Sequence, residues 1–98
     1  MILEFVGEAI EWRGPAPFVF VQVPGDVSAE IKAVSNMVTY GWGCIPVKAR
    51  IGKTNYTTSL FPRDGAYLVP VKVVVQKAEG AKVGDFLQVR LELSINFP

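Results

Sequence analysis

Histidine is absent from this 98-residue chain, and cysteine occurs once, as Cys44. Without histidine there is no Ser-His-Asp or Cys-His arrangement, no imidazole general base, and none of the usual zinc ligands. A single cysteine forms no internal disulfide, which agrees with a reducing compartment. Also missing is an apolar run approaching the roughly 20 residues of a membrane-spanning helix. The opening MILEFVGEAIEW carries Glu4 and Glu8 where a secretory leader needs a basic start and an unbroken apolar stretch. The expectation is therefore a cytoplasmic protein with no membrane partner, in which the Asn55-Tyr56-Thr57 sequon is chance.

Strong charge of one sign is lacking too. A net charge of +1 argues against binding polyanions by bulk electrostatics. The distribution is less even than the sum. Up to Tyr40, five acids (Glu4, Glu8, Glu11, Asp26, Glu30) face Arg13 and Lys32, a balance of −3; beyond it eight bases face Asp64, Glu79, Asp85 and Glu92, a balance of +4. Two oppositely charged regions of one surface account for this.

What the chain does contain is enough apolar material and dense punctuation. Half of its residues are hydrophobic, and a chain of this length buries roughly 60 to 70% of its unfolded surface, enough for a core in one domain spanning residues 1–98. Leu3, Phe5, Gly7 and Ala9 alternate with Glu4, Val6 and Glu8, which predicts a first strand with one face inward. Arg13-Gly14-Pro15-Ala16-Pro17 ends it, since two prolines cannot join a ladder. A second strand follows over Phe18 to Val23. Pro24-Gly25-Asp26 opens a short helix with Val27, Ile31 and Val34 on one face, ending near Ser35-Asn36.

Further along, Ile45, Val47, Ala49 and Ile51 form the inner row of a third strand, with Lys48 and Arg50 pointing the other way. Gly52-Lys53 is a turn, and a fourth strand runs from about Thr54 to Phe61. Pro62-Arg63-Asp64-Gly65 turns the chain into a short return over Tyr67 to Val69. Val71, Val74, Val75 and Ala78 then recur at helical spacing and predict a second helix closed by Gly80. Val83-Gly84-Asp85 leads into a last strand with Leu87, Val89, Leu91, Leu93 and Ile95 inside. Five to seven short strands with two short helices make a mainly β protein, and closure into a small barrel removes its exposed edges. No repeat is visible in the sequence.

Several of these strings resemble the bacterial domain of unknown function 1905 family: Gly41-Trp42-Gly43 before a strand, the long run from Thr58 through Lys72, then Ala78-Glu79-Gly80, Gly84-Asp85, and the earlier Trp12 with Val23-Pro24. The chain departs from the pattern at Gln76, where a basic residue is expected, and at Cys44, where a small hydroxyl is expected. The resemblance implies a closed or partly open barrel of the double-split type, similar in architecture to the swapped-hairpin barrels of some bacterial DNA-binding regulators. It implies no activity, and fold analogy alone does not assign one.

The chemistry on offer is thin. Glu4 and Glu8 lie about 13 Å apart at a rise of ~3.3 Å per residue, beyond the roughly 5 to 9.5 Å of paired glycosidase carboxylates. Gly52-Lys53-Thr54 mimics the end of a phosphate-binding loop, but Val47 stands where that loop needs glycine and a strand follows. Cys44 shares a face with Lys48, yet a small packed cysteine is the favoured reading. An enzyme would have to rest on Cys44, a tyrosine or the carboxylates.

The favoured reading is a small non-enzymatic binding or interaction module with no cofactor, no metal and no catalytic residues, whose partner is a small ligand or a protein. A pocket at the barrel mouth, bordered by Trp42, Tyr56, Arg63, Tyr67 and Lys72, suits a small anionic ligand; the plainer reading makes Trp42 and Tyr67 core lids and Lys72 a surface residue. The alternative is a nucleic-acid-binding barrel. If the third strand extends back to Tyr40, then Tyr40, Trp42, Lys48 and Arg50 share one face, and aromatic rings beside cationic side chains can stack bases and track phosphates.

Overall fold

A computed structural model describes residues 1–12, 18–35 and 45–93. Among the described residues, six strands and two helices follow one another as β1 (Ile2–Trp12), β2 (Phe18–Gln22), α1 (Gly25–Ala33), β3 (Ile45–Ile51), β4 (Thr54–Arg63), β5 (Ala66–Val71), α2 (Val73–Glu79) and β6 (Phe86–Glu92). The strands close into an antiparallel barrel in the order β1-β2-β5-β4-β3-β6. The expected mainly β barrel with two helices is what forms. No helix among the described residues is long and apolar enough to cross a membrane.

Two long strands make closure possible. β1 pairs with β6 through Glu8 and with β2 from Ala9; β4 pairs with β3 through Leu60 and with β5 from Phe61. Each therefore belongs to two sheets and bends where it changes partner. In β1 the bend sits beside Gly7, and a side chain there would meet the Gln22 carbonyl oxygen and, at 2.6 Å, Val21 Cγ1. Only glycine lets β2 approach this closely.

Strict alternation fills the interior. Leu3 and Phe5 of β1, the four inner residues of β3, and Val89 and Leu91 of β6 join Val21, Leu60 and Val69 in one core. The Gly52-Lys53 and Asp64-Gly65 pairs make two-residue turns between Ile51 and Thr54 and between Arg63 and Ala66. In the second, Asp64 (φ 51°) and Gly65 (φ 79°) both lie in the left-handed region, the geometry of a hairpin turn that follows the strand twist.

Several boundaries shift from expectation. α1 ends at Ala33. β4 continues to Arg63 and β5 fills Ala66–Val71, so the turn shrinks to Asp64-Gly65. The expected inner face of the second helix does not exist as one face: Val71 belongs to β5, where it pairs with Val19, and Val74 is 69% exposed. Only Val75 of α2 is buried. Ladder pairing holds Val71 extended, and the seven-residue helix that remains has room for one turn against the barrel. Its end is fixed by Gly80 in the left-handed conformation, as expected, and by a Thr54 hydroxyl donating to Glu79 at 2.5 Å. Ile95 lies outside the described residues.

A repeat invisible in the sequence is present in the pairing. The series β1-β2-α1-β3 recurs as β4-β5-α2-β6, and exchanging the two units maps every strand pair onto another: β1–β2 onto β4–β5, β1–β6 onto β4–β3, with β2–β5 and β3–β6 mapping onto themselves. The helix caps Pro24 and Lys72 correspond, which makes Val21 equivalent to Val69, its own register partner. By the same offset Phe20 matches Leu68, so their partners Ile10 and Phe61 match. Carried along β1 and β4, this equates Glu4 with Asn55, and hence their partners Arg90 and Arg50. Arg50 and Arg90 are register partners too. A pseudo-two-fold axis thus runs through the barrel from the Val21–Val69 pair to the Arg50–Arg90 pair.

Candidate functional site

The inner rows are spent on packing, so recognition falls to the outside of the barrel and its ends. Of the residues expected around a mouth pocket, Tyr67 points inward from β5, is 6% exposed and belongs to the core. Tyr56 sits on the inner side of β4, half-buried, and donates its phenol hydrogen to the Pro70 carbonyl at 2.9 Å. Burial pushes its ionisation well above the ordinary tyrosine range, which leaves it a neutral donor rather than a base. Arg63 closes β4 and Lys72 caps α2, both exposed. The structure brings Arg63 and Tyr67 together in a shallow cleft of about 490 Å³ beside the Asp64-Gly65 turn. Tyr56 lines a different concavity and Lys72 lines neither. Trp42 lies outside the described residues.

Of the expected nucleic-acid face, Lys48 and Arg50 are exposed on the outer side of β3. Tyr40, Trp42 and Cys44 lie outside the described residues. No three His, Cys, Asp or Glu side chains gather to hold a metal ion among the described residues.

Two surfaces stand out on opposite poles of the axis. Outside β1, β2, β5 and the end of β4, an apolar groove of about 280 Å³ is lined by Trp12, Phe18, Phe20, Phe61, Arg63 and Leu68. Phe20 packs 6.3 Å from Phe18 and meets Phe61 edge-on at 6.3 Å, so the rings hold one another in place. The Arg63 guanidinium lies 3.9 Å from the centre of the Trp12 ring and 3.6 Å from the Asp64 carboxylate. Phe18 is 56%, Phe61 44% and Trp12 41% exposed, which leaves on the order of 300 Å² of aromatic surface facing water.

Outside β3 and β6, the opposite pole is polar. Glu4, Arg90, Arg50 and Asn55 form one cross-strand row, and Ile2, Glu92, Lys48 and Thr57 the next. Arg90 pairs with Glu4 at 3.7 Å, and Arg50 donates from Nε to the Gly52 carbonyl at 3.1 Å.

Residues 5–91 match the family model described as a domain of unknown function, DUF1905. This chain belongs to the DUF1905 family. A comparison with curated proteins finds no match. The DUF1905 match reaches from β1 into β6 and takes in both poles of the barrel.

Sequence reasoning missed Trp12, Phe18, Phe20, Phe61 and Arg90. The signal for Trp12 was present, because odd positions of β1 point inward and Trp12 falls on the outer row. For β2 it was weaker: Phe-Val-Phe-Val is apolar at every position, and only the polar Gln22, two and four residues on, marks the Phe18 and Phe20 face as the outer one.

Proposed function

We propose that this DUF1905 chain is a bacterial, cytoplasmic, non-enzymatic binding module that holds a short extended peptide segment rich in proline and other apolar side chains in the Trp12–Phe18–Phe20–Phe61 groove. The exposed aromatic cluster carries this reading. Barrel closure leaves no free strand edge among the described strands, which disfavours recruitment of a peptide by strand addition. About 300 Å² of aromatic surface falls short of the ~800 Å² per partner that a standard interface between folded proteins buries, so the occupant is smaller than a second barrel. Aromatic-lined grooves of this kind accept extended proline-rich segments, whose low conformational entropy limits the cost of ordering. The lone Cys44, which forms no internal disulfide, supports the cytoplasmic setting.

The test is selection of a random peptide library on the whole chain, with a Phe18→Ala, Phe61→Ala variant as the control surface. Enriched peptides should share proline and apolar positions and bind the variant at least tenfold more weakly, as loss of a ring from the centre of an interface produces. Peptides that bind both proteins equally would remove the groove from consideration.

The second reading is nucleic-acid binding, favoured by the shared exposed face of Lys48 and Arg50. It requires single-stranded DNA or RNA to bind with an affinity that falls as salt rises. No binding at low salt would remove it.

A further inference from the structure

The outer row of β3 and β6 presents an arrangement that a strand pair normally avoids. Arg50 and Arg90 stand directly opposite each other, with Cβ atoms roughly 5 Å apart by the geometry of such pairs, and like charges in this position are destabilising. A carboxylate at either position would relieve the repulsion. Instead each arginine is engaged through Nε alone: Arg50 donates to the Gly52 carbonyl, and Arg90 lies beside Glu4 at 3.7 Å. Among the described residues no carboxylate oxygen lies within 4.0 Å of the Arg50 or Lys48 side-chain nitrogens. The Arg50 Nε bond orients its guanidinium, Arg90 is held only by the exposed ion pair with Glu4, and the terminal amino groups of both have no hydrogen-bond partner among the described residues.

Between them lies a concavity of about 380 Å³, bordered by Lys48, Arg50 and Arg90, by Asn55 and Thr57 as neutral polar groups, and by one carboxylate, Glu92. Its lining carries three cations against one anion, an excess of two that falls to one when Glu4, 3.7 Å from Arg90, is counted. The axis passes through the Arg50–Arg90 pair at the edge of this concavity, and both arginines border it.

We propose that Arg50 and Arg90, with Lys48 beside them, form a binding site for a phosphate group. Inorganic phosphate or a phosphate monoester carries about enough charge to offset both guanidiniums and oxygens for the forked geometry that arginine favours, whereas a nucleic-acid phosphodiester brings one charge per group and would engage the pair through adjacent groups. Pre-orientation of Arg50 through Nε reduces the ordering cost of binding. The group belongs either to a phosphorylated small molecule or to a nucleic-acid backbone. The site lies at the pole opposite the aromatic groove and does not depend on it.

Thermal unfolding of the whole chain tests the site, in inorganic phosphate and in chloride at equal ionic strength. Phosphate should raise the Tm of the native chain by several degrees through binding to the folded state, and the gain should vanish in the Arg50→Gln, Arg90→Gln variant. In chloride that variant should melt no lower than the native chain, because the opposed charges are gone, and this distinguishes loss of a site from loss of the fold. NMR signals of the Arg50 and Arg90 Nε–H groups should move with phosphate concentration. A single-stranded oligothymidylate identifies the source: competition with phosphate at these signals assigns the site to a nucleic-acid backbone, and no competition assigns it to a phosphorylated small molecule. An equal Tm in phosphate and chloride, or an undiminished phosphate gain in the double variant, would overturn the proposal.

Discussion

At the scale of single residues, the described structure concentrates its polar constraints at a few points. Ser28 is the one buried polar or charged residue among the described positions apart from the core Tyr67, and its hydroxyl donates to the Val23 carbonyl at 3.2 Å and accepts from the Tyr67 amide at 3.2 Å. One side chain thus ties α1 to β5 and to the end of β2. Ser28→Ala leaves the Tyr67 amide and the Val23 carbonyl short of a partner, although Val23 and Tyr67 keep a direct backbone bond at 3.0 Å. A cost of about 1–3 kcal/mol is expected in urea unfolding, and an unchanged midpoint would contradict this role. Tyr56 gives a pH prediction. Its folded-state ionisation is raised above the unfolded value near 10, so the folded protein retains a proton that the unfolded chain releases. Stability is therefore full below about pH 10 and declines above it. Tyr56→Phe should flatten that alkaline decline while costing about 0.5–1.5 kcal/mol at neutral pH for the lost bond to Pro70.

Single elements show why part of the fold was readable and part was not. β1 and β3 alternate so regularly that their inner rows follow from the sequence, and every inner residue assigned to β3 is buried. The valine run Val73-Val74-Val75 carries no such information, because β-branched residues suit a strand and Val71 was already claimed by pairing with Val19. Likewise Gly7 looked like any inward position of β1, and its reason becomes visible only once β2 crosses beside it. Gly7→Ala would drive a methyl into the Gln22 carbonyl oxygen, a backbone atom held by the ladder. The bend of β1 must open, and a loss of more than 2 kcal/mol is expected in thermal or urea unfolding, within the range for overpacked cores. Retention of the native midpoint would show that β1 changes sheet without this contact. The candidate site was legible in halves: Lys48 and Arg50 were placed on the outer face of β3, but their neighbour Arg90 comes from a strand some forty positions away, a pairing that local periodicity does not encode.

At the scale of the whole molecule, neither half can stand alone. The last strand of each unit pairs only with strands of the other: β3 lies between β4 and β6, and β6 between β3 and β1. Fragments cut at the Gly52-Lys53 turn would each carry an unpaired strand and an open core, and chains this short rarely bury enough surface to fold. Each fragment alone should give the collapsed NMR spectrum of an unfolded chain, and an equimolar mixture should restore the dispersed spectrum of the intact protein. A fragment that folds as a monomer on its own would break this account of cooperativity.

The two-fold relation also bears on ancestry. A gene half this long, encoding one strand-strand-helix-strand unit, would yield the same cylinder by self-association, and duplication joined through a two-residue turn turns a dilution-sensitive dimer into a single chain. On that descent Arg50 and Arg90 began as one residue facing its own copy across a true symmetry axis.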